Sequence, residues 1–176
     1  MKILHIGQMI GGLDIYIRNT ILYSECENEY VIVRGDMDDN RPVERNGKAV
    51  KEYRISLRRE LNIWRDTKAI VQALRIVVRE HPDLIHCHSA KGGIVGRIVG
   101  FITRVPTYYT PHAFSFLCTQ SRLKRKLYLC IERMTRLEAH LLACSESECM
   151  LGKELVHYSD EKAHVWSNAI PDATNI

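Results

Sequence analysis

Two short stretches of this chain gather side chains that could bind or transfer a group. Asp83 to Gly93 holds His86, His88, Ser89 and Lys91 followed by Gly92 and Gly93, and Thr110 to Phe116 holds Pro111, His112 and Phe114. Imidazole brings two ring nitrogens and a charge that switches near neutral pH. Lys91 sets a cation beside backbone amides that a helix start leaves free, a combination that suits an anion. A third stretch, Gly11-Gly12, lets the backbone approach a ligand at the positive end of a helix dipole, which suits a phosphate. Plainer readings stand beside these. A glycine pair also marks a tight turn, Gly92 and Gly93 also let a helix lie close on a sheet, and a lone histidine usually serves structure. In a strand, His86 and His88 share a face while Cys87 points away. Two such histidines need further ligands to hold a metal, and the sequence supplies none, so no metal is expected.

The surrounding elements must place these groups. Leu84 to His88 and Thr107 to Thr110 read as apolar strands flanking a glycine-punctuated helix that Ser89 can cap, a β-α-β unit. In an open parallel sheet, ligands bind outside the carboxyl ends of the strands, where both clusters fall. Before this unit come a strand at Lys2 to Gly7 and a helix with Leu13, Ile17 and Ile21 on one face. A strand at Tyr30 to Val33, a loop from Gly35 to Gly47 and a strand at Val50 to Ile55 follow. From Asp66, apolar Ile70, Leu74, Val77 and Val78 predict a helix that Pro82 ends. After it, Leu123, Leu127, Cys130, Met134 and Leu137 form the apolar stripe of a long helix. Ala139 to Cys144 predicts a buried strand, Ser145 or Ser147 caps a helix whose Glu146 and Glu148 offset the dipole, and Lys162 to Trp166 is a last strand. The expected fold class is α/β: a single Rossmann-like domain over residues 1–170, with a mostly parallel sheet and helices on both faces. Residues 171–176 begin a linker.

At 176 residues, 45% hydrophobic and 26% charged, the chain has the makings of one globular domain rather than two. Its six cysteines form no CxxC pair and sit mostly in apolar segments, so they read as small buried hydrophobes in a reducing cytoplasm. The net charge of +4 is modest and does not argue for nucleic acid. Arg122, Lys124, Arg125 and Lys126 read first as a solvated helix face and second as a contact for an anionic membrane or a nucleic acid. No apolar run approaches the roughly 20 residues of a bilayer span, and the N-terminus lacks a signal-peptide pattern. The GxGxxG of nicotinamide-binding domains and the GxxxxGK[ST] of P-loop nucleotidases are both absent. No carboxylate pair of the glycosidase type is evident, which argues against hydrolysis.

The ordered set Gly11-Gly12, Asp83 to Arg97, Tyr109 to Phe116, Ala143 to Glu148 and Asn168-Ala-Ile-Pro171 resembles the N-terminal domain of a retaining GT-B glycosyltransferase. The match is to the family-4 group, which builds capsular and other surface polysaccharides, and it covers essentially the whole chain. The resemblance implies two Rossmann-like domains facing a cleft, with this chain as the acceptor-side half and a nucleotide-sugar domain lying beyond it. The chain alone would then lack appreciable activity. By the same resemblance, Gly11, Gly12, Ser145 and Glu146 lie toward the donor, and His112 is the catalytic residue, supporting the transferring sugar by hydrogen bonding and charge. His88, Ser89, Lys91, Gly92, Gly93 and Phe114 lie toward the acceptor, a lipid-linked sugar diphosphate. The nucleotide sugar is a substrate, and neither cofactor nor metal is implied. A cytoplasmic location at the inner face of the membrane follows. Two departures stand out: Ala113 replaces the glycine common after the histidine, and Asn168-Ala-Ile-Pro171 replaces the usual Asn-Gly-Ile/Val-Asp. An alternative reading is a free-standing flavodoxin-like or nucleotide-binding regulatory domain, which needs no second half.

Overall fold

A computed structural model describes residues 1–166 except 25, 59 and 61. The described elements run β1 (Lys2–Ile6), α1 (Gly12–Leu22), β2 (Glu29–Gly35), the two-residue strands β3 (Glu44–Arg45) and β4 (Lys48–Ala49), and β5 (Lys51–Ile55). The chain continues with α2 (Ile63–Glu80), β6 (Leu84–His88), α3 (Ser89–Thr103), β7 (Thr107–Thr110), α4 (Arg122–Met134), β8 (His140–Ala143), α5 (Glu146–Glu154) and β9 (Ala163–Val165). Seven strands form one sheet in the order β5-β2-β1-β6-β7-β8-β9. Every neighbouring pair in it is parallel. The chain therefore winds outward from β1 to β5, returns through α2, and winds the other way from β6. This reversal places the topological switch point between β1 and β6, where the carboxyl ends of adjacent strands open a crevice.

Alternation of side chains along each strand divides the interior in two. Leu4, Ile6, Val31, Val33, Ile85, Cys87, Tyr109 and Leu141 face α2, α3 and α5, which contribute Ala69, Ala73, Val77, Val95, Val99 and Cys149. Tyr30 and Ile32 face the other way and pack with Tyr16, Ile17 and Ile21 of α1. Helices thus cover both faces, and the sequence expectation of an α/β domain holds.

Several local readings shift. The segment expected to be all loop from Gly35 to Gly47 contains part of the β3–β4 hairpin, paired through Glu44 with Ala49 and Arg45 with Lys48. α2 begins three residues before Asp66 because Asn62 caps it, its side-chain oxygen accepting from Arg65 N at 3.0 Å. Ser89 does not cap α3: it is the first helical residue, with φ 58°, and the preceding His88 makes no capping bond with its side chain. The stripe expected to bury α4 faces solvent instead, with Leu123 79%, Leu127 50% and Met134 72% exposed. What α4 buries is Glu132, whose Oε2 accepts from Arg97 Nη2 at 2.9 Å and whose Oε1 accepts from the Tyr109 hydroxyl at 3.0 Å. The Arg97 guanidinium lies 4.1 Å from the centre of the Tyr109 ring, so α3, α4 and β7 meet at one buried charge pair. Cysteine burial is also less general than expected, since Cys26, Cys118 and Cys130 are exposed while Cys87 and Cys149 are buried.

Candidate functional site

Beyond β7, Pro111 ends the strand and the next two residues turn through left-handed conformations, His112 at φ 52° and Ala113 at φ 74°. Non-glycine residues reach this region only when their surroundings hold them there. The holding group is Glu148 of α5. Its carboxylate accepts from Ala113 N at 2.8 Å and from Cys144 N at 2.7 Å, joining the loops after β7 and β8. Ser145 caps the same helix by accepting from Glu148 N at 3.2 Å. Between these loops opens a cavity of about 430 Å³, lined by His112, Ala113, Leu117, Ser145 and Glu148 among others.

Behind His112 the sheet carries three more imidazoles. His88 Nδ1 stands 3.3 Å from His112 Nε2, and His88 Nε2 stands 3.0 Å from His5 Nδ1. His86 Nε2 meets the Thr110 hydroxyl at 2.8 Å. On the outer side, His112 Nδ1 lies 3.6 Å from Cys144 Sγ, and Tyr16 of α1 sets its ring edge-on to His112 with centroids 4.7 Å apart. Burial disfavours the charged imidazole and lowers the pKa of His5 and of His112 to about 4. His86 and His88 fall well below the ordinary value from burial first and neighbouring imidazoles second. All four rings are neutral at physiological pH. Sequence reasoning missed His5, because only the strand register that pairs it with His86 brings it to this cluster. His5, His86 and His88 are the described residues able to hold a metal, with ligand atoms within 4.8 Å of one another. In the structure those nitrogens are engaged largely with each other and with Thr110.

The expected site residues divide sharply. Gly11 adopts φ 61° and, like Gly12, has no atom within 4 Å of where a Cβ would stand, so the start of α1 is open to a ligand. No side chain caps α1. Ser145 lines the cavity, whereas exposed Glu146 is not among its walls. The acceptor-side group needs correction, because most of it lies inside the fold. His88 and Phe114 are fully buried. Lys91 is buried as well, its ammonium taken by Asp66 of α2 at 2.5 and 2.6 Å, which leaves no free cation for an anion. A Cβ on Gly92 would stand 2.7 Å from the Ile6 carbonyl oxygen, and one on Gly93 would run into the Tyr109 ring, so packing accounts for both glycines. Of that group, Ser89 alone is half-exposed. Burial favours the neutral ring of His112, the form that offers a sugar one N–H and one lone pair.

Comparison with known proteins agrees with this architecture. The α-1,3-galactosyltransferase of Escherichia coli that acts on UDP-Gal and α-D-GlcNAc-diphosphoundecaprenol is 29% identical over 94 residues, which is 53% of this chain and 24% of that protein. An uncharacterised protein from the cps region of Klebsiella pneumoniae is 20% identical over 164 residues, 90% of this chain and 41% of its own length. The structure of Anabaena HepE in complex with UDP-glucose superposes with a TM-score of 0.67 at 17% identity, covering 97% of this chain and 44% of that one. The chain therefore spans less than half the length of each of these proteins. The family model for Glycosyltransferase Family 4 matches residues 10–174, and with the doubly wound sheet and the site at its carboxyl edge this establishes that the chain belongs to that family, as the N-terminal domain of a GT-B fold.

Proposed function

We propose that this chain is the acceptor-binding half of a retaining glycosyltransferase that moves a sugar from a nucleotide-sugar donor to a lipid-linked glycan diphosphate in surface-polysaccharide synthesis. The observation that carries the reading is the placement of His112: it lines a cavity at the carboxyl ends of β7 and β8 and meets Tyr16 of α1, the helix whose start is uncapped. In this reading the free amides at Gly11 and Gly12 meet the donor diphosphate and stabilise it as it departs, without a metal. His112 meets the transferring sugar, and Ser145 borders the donor. The acceptor approaches the same edge near Ser89, since the other residues first expected to touch it are buried. Glu148 is the one carboxylate among the described cavity walls, and both its oxygens hold backbone amides. That occupation supports a transfer driven by positioning and electrostatics rather than hydrolysis by a carboxylate pair.

The exposed stripe of α4 adds a membrane contact at the cytoplasmic face. Leu123, Leu127 and Met134 point outward with Arg122, Lys124, Arg125 and Lys126 on the same exposed helix, the arrangement by which a surface helix settles among anionic headgroups. Among the described residues no helix is long and apolar enough to cross a membrane.

A transfer assay on the intact gene product, with a panel of nucleotide sugars and a short-chain polyprenyl-diphosphate acceptor, tests the reading. His112→Ala should lower kcat by about 100-fold, the order expected for loss of one preorganised hydrogen-bond donor, with a smaller effect on nucleotide binding. An unchanged rate removes His112 from the site. Residues 1–176 assayed alone should give no sustained turnover, and turnover by them would overturn the assignment as half of an enzyme.

A further inference from the structure

We propose that His88 is a positioning residue that holds His112 in its Nδ1–H tautomer, so that His112 meets the substrate as a neutral hydrogen-bond donor. The inference rests on the reading of His112 as part of the transfer site and adds to it a defined proton arrangement.

The groups stand in a line. His5 Nδ1 faces His88 Nε2 at 3.0 Å, His88 Nδ1 faces His112 Nε2 at 3.3 Å, and His112 Nδ1 faces Cys144 Sγ at 3.6 Å. A neutral imidazole has one N–H and one lone pair, and each contact needs one of each. Two orders satisfy the line: every ring protonated at Nδ1, or every ring protonated at Nε2. The second order leaves an N–H on His5 Nε2, a fully buried atom without a hydrogen-bond partner among the described residues. The first order leaves only a lone pair there. Orphaned buried donors are the rarer defect in folded proteins, because an unused acceptor loses less than an unused N–H. The line therefore runs outward, His5 donating to His88 and His88 donating to His112.

This order has a consequence at the cavity. The last N–H, on His112 Nδ1, points to a thiol sulfur, a weak acceptor at long range. Burial keeps the Cys144 thiol protonated, with its pKa raised to about 11, so no thiolate competes for that N–H. An oxygen of a sugar or a phosphate is a better acceptor and can replace the sulfur without any change in the rings behind. His88 itself is fully buried, and Tyr16 of α1 stands edge-on to it with ring centroids 5.7 Å apart, so it acts through His112 and touches no ligand.

Long-range proton–nitrogen NMR on the 176-residue chain reads the tautomer of each histidine directly. The wild type should show His112 protonated at Nδ1. His88→Phe keeps a ring but supplies no donor, and should shift His112 toward the Nε2–H form. His88→Asn places an amide N–H near the lost Nδ1 and should restore the wild-type tautomer. An Nε2–H tautomer of His112 in the wild type overturns the proposal, and this outcome stands even if a variant fails to fold. So does an unshifted His112 in folded His88→Phe. One equivalent of zinc that survives purification and is lost in His5→Phe would also overturn it, since the nitrogens would then be ligands. Turnover by the intact gene product separates the two levels. His88→Phe should lower kcat by about tenfold with little change in donor KM, and His88→Asn should regain most of it. If His112→Ala leaves turnover intact, the transfer reading fails while the NMR result still judges the tautomer.

Discussion

At the scale of single residues, the site depends on a group that touches no ligand in the proposed reaction. Glu148 holds two backbone amides, Ala113 N and Cys144 N, and thereby pins a pair of consecutive left-handed residues next to the cavity. A carboxylate suits this task because both its oxygens accept. Glu148→Gln preserves the shape but turns one oxygen into an NH2 that meets an N–H donor, leaving one partly buried amide without its acceptor. The expected cost is about 1–3 kcal/mol, read as a shift of the urea midpoint at constant m. His112 should respond as well, with a changed NMR environment, because its loop loses its anchor. A variant as stable as the wild type with His112 unmoved would show that the loop is held elsewhere. The sequence made Glu148 visible only as a helix-start residue: the capping pattern from Ser145 is local and readable. The reach of its carboxylate to Ala113, 35 residues away, is not.

At the scale of elements, α4 shows how a correct period can carry the wrong face. The apolar residues from Leu123 to Met134 recur at helical spacing, and the helix is there. The side it turns to the core is nevertheless decided by Glu132, because Arg97 is buried on α3 and needs a counter-charge. Glu132→Ala strands that guanidinium and should cost about 3–5 kcal/mol, whereas Arg97→Met combined with Glu132→Leu should recover most of the loss. A single variant within 1 kcal/mol of the wild type would mean that water reaches the pair. The outward stripe gives a second prediction. Changing Lys124, Arg125 and Lys126 to Gln should reduce flotation with phosphatidylserine-containing vesicles by about 100-fold, from roughly 1 kcal/mol per cation. Leu123→Ser with Leu127→Ser should weaken binding without altering its salt dependence, and unaffected flotation in both would dismiss α4 as the contact. The strands of the seven-stranded sheet, by contrast, were legible to within a residue or two, although the β3–β4 hairpin was not. Leu84–His88 is a short apolar run between Pro82 and the start of α3, Thr107–Thr110 is one between Pro106 and Pro111, and central parallel strands are buried on both faces. Neither strand register nor helix packing was legible, so the meeting of His5 with His86 and the pairing of Lys91 on α3 with Asp66 on α2 could not be read from spacing.

At the scale of the whole molecule, the doubly wound sheet gathers His5, His86, His88 and His112 into one neutral cluster, and this ties global stability to pH. Each of these rings has a folded-state pKa below 6.5, near 4 for His5 and His112, because burial penalises the imidazolium. The unfolded chain takes up protons near 6.5, so below that value it binds more protons than the folded chain, and stability falls as pH falls. The contribution is complete above about pH 6.5 and is lost progressively toward pH 4. Between pH 7 and 5.5, linkage gives roughly 1 kcal/mol for each such histidine, hence about 2 kcal/mol for His5 and His112 together. Urea unfolding at the two pH values measures this directly. Glu80, whose carboxyl is held low by hydrogen bonds from Lys51 and Tyr53, loses its contribution only nearer the carboxylate range, so the window above pH 5 reports the histidines. His5→Phe removes one titrating ring from the inner end of the line and should flatten the slope by about half of that 2 kcal/mol. A slope unchanged in His5→Phe, or a chain equally stable at both pH values, would mean that solvent reaches these imidazoles and that they charge freely inside the fold. The neutral line from His5 to His112 would then have no basis.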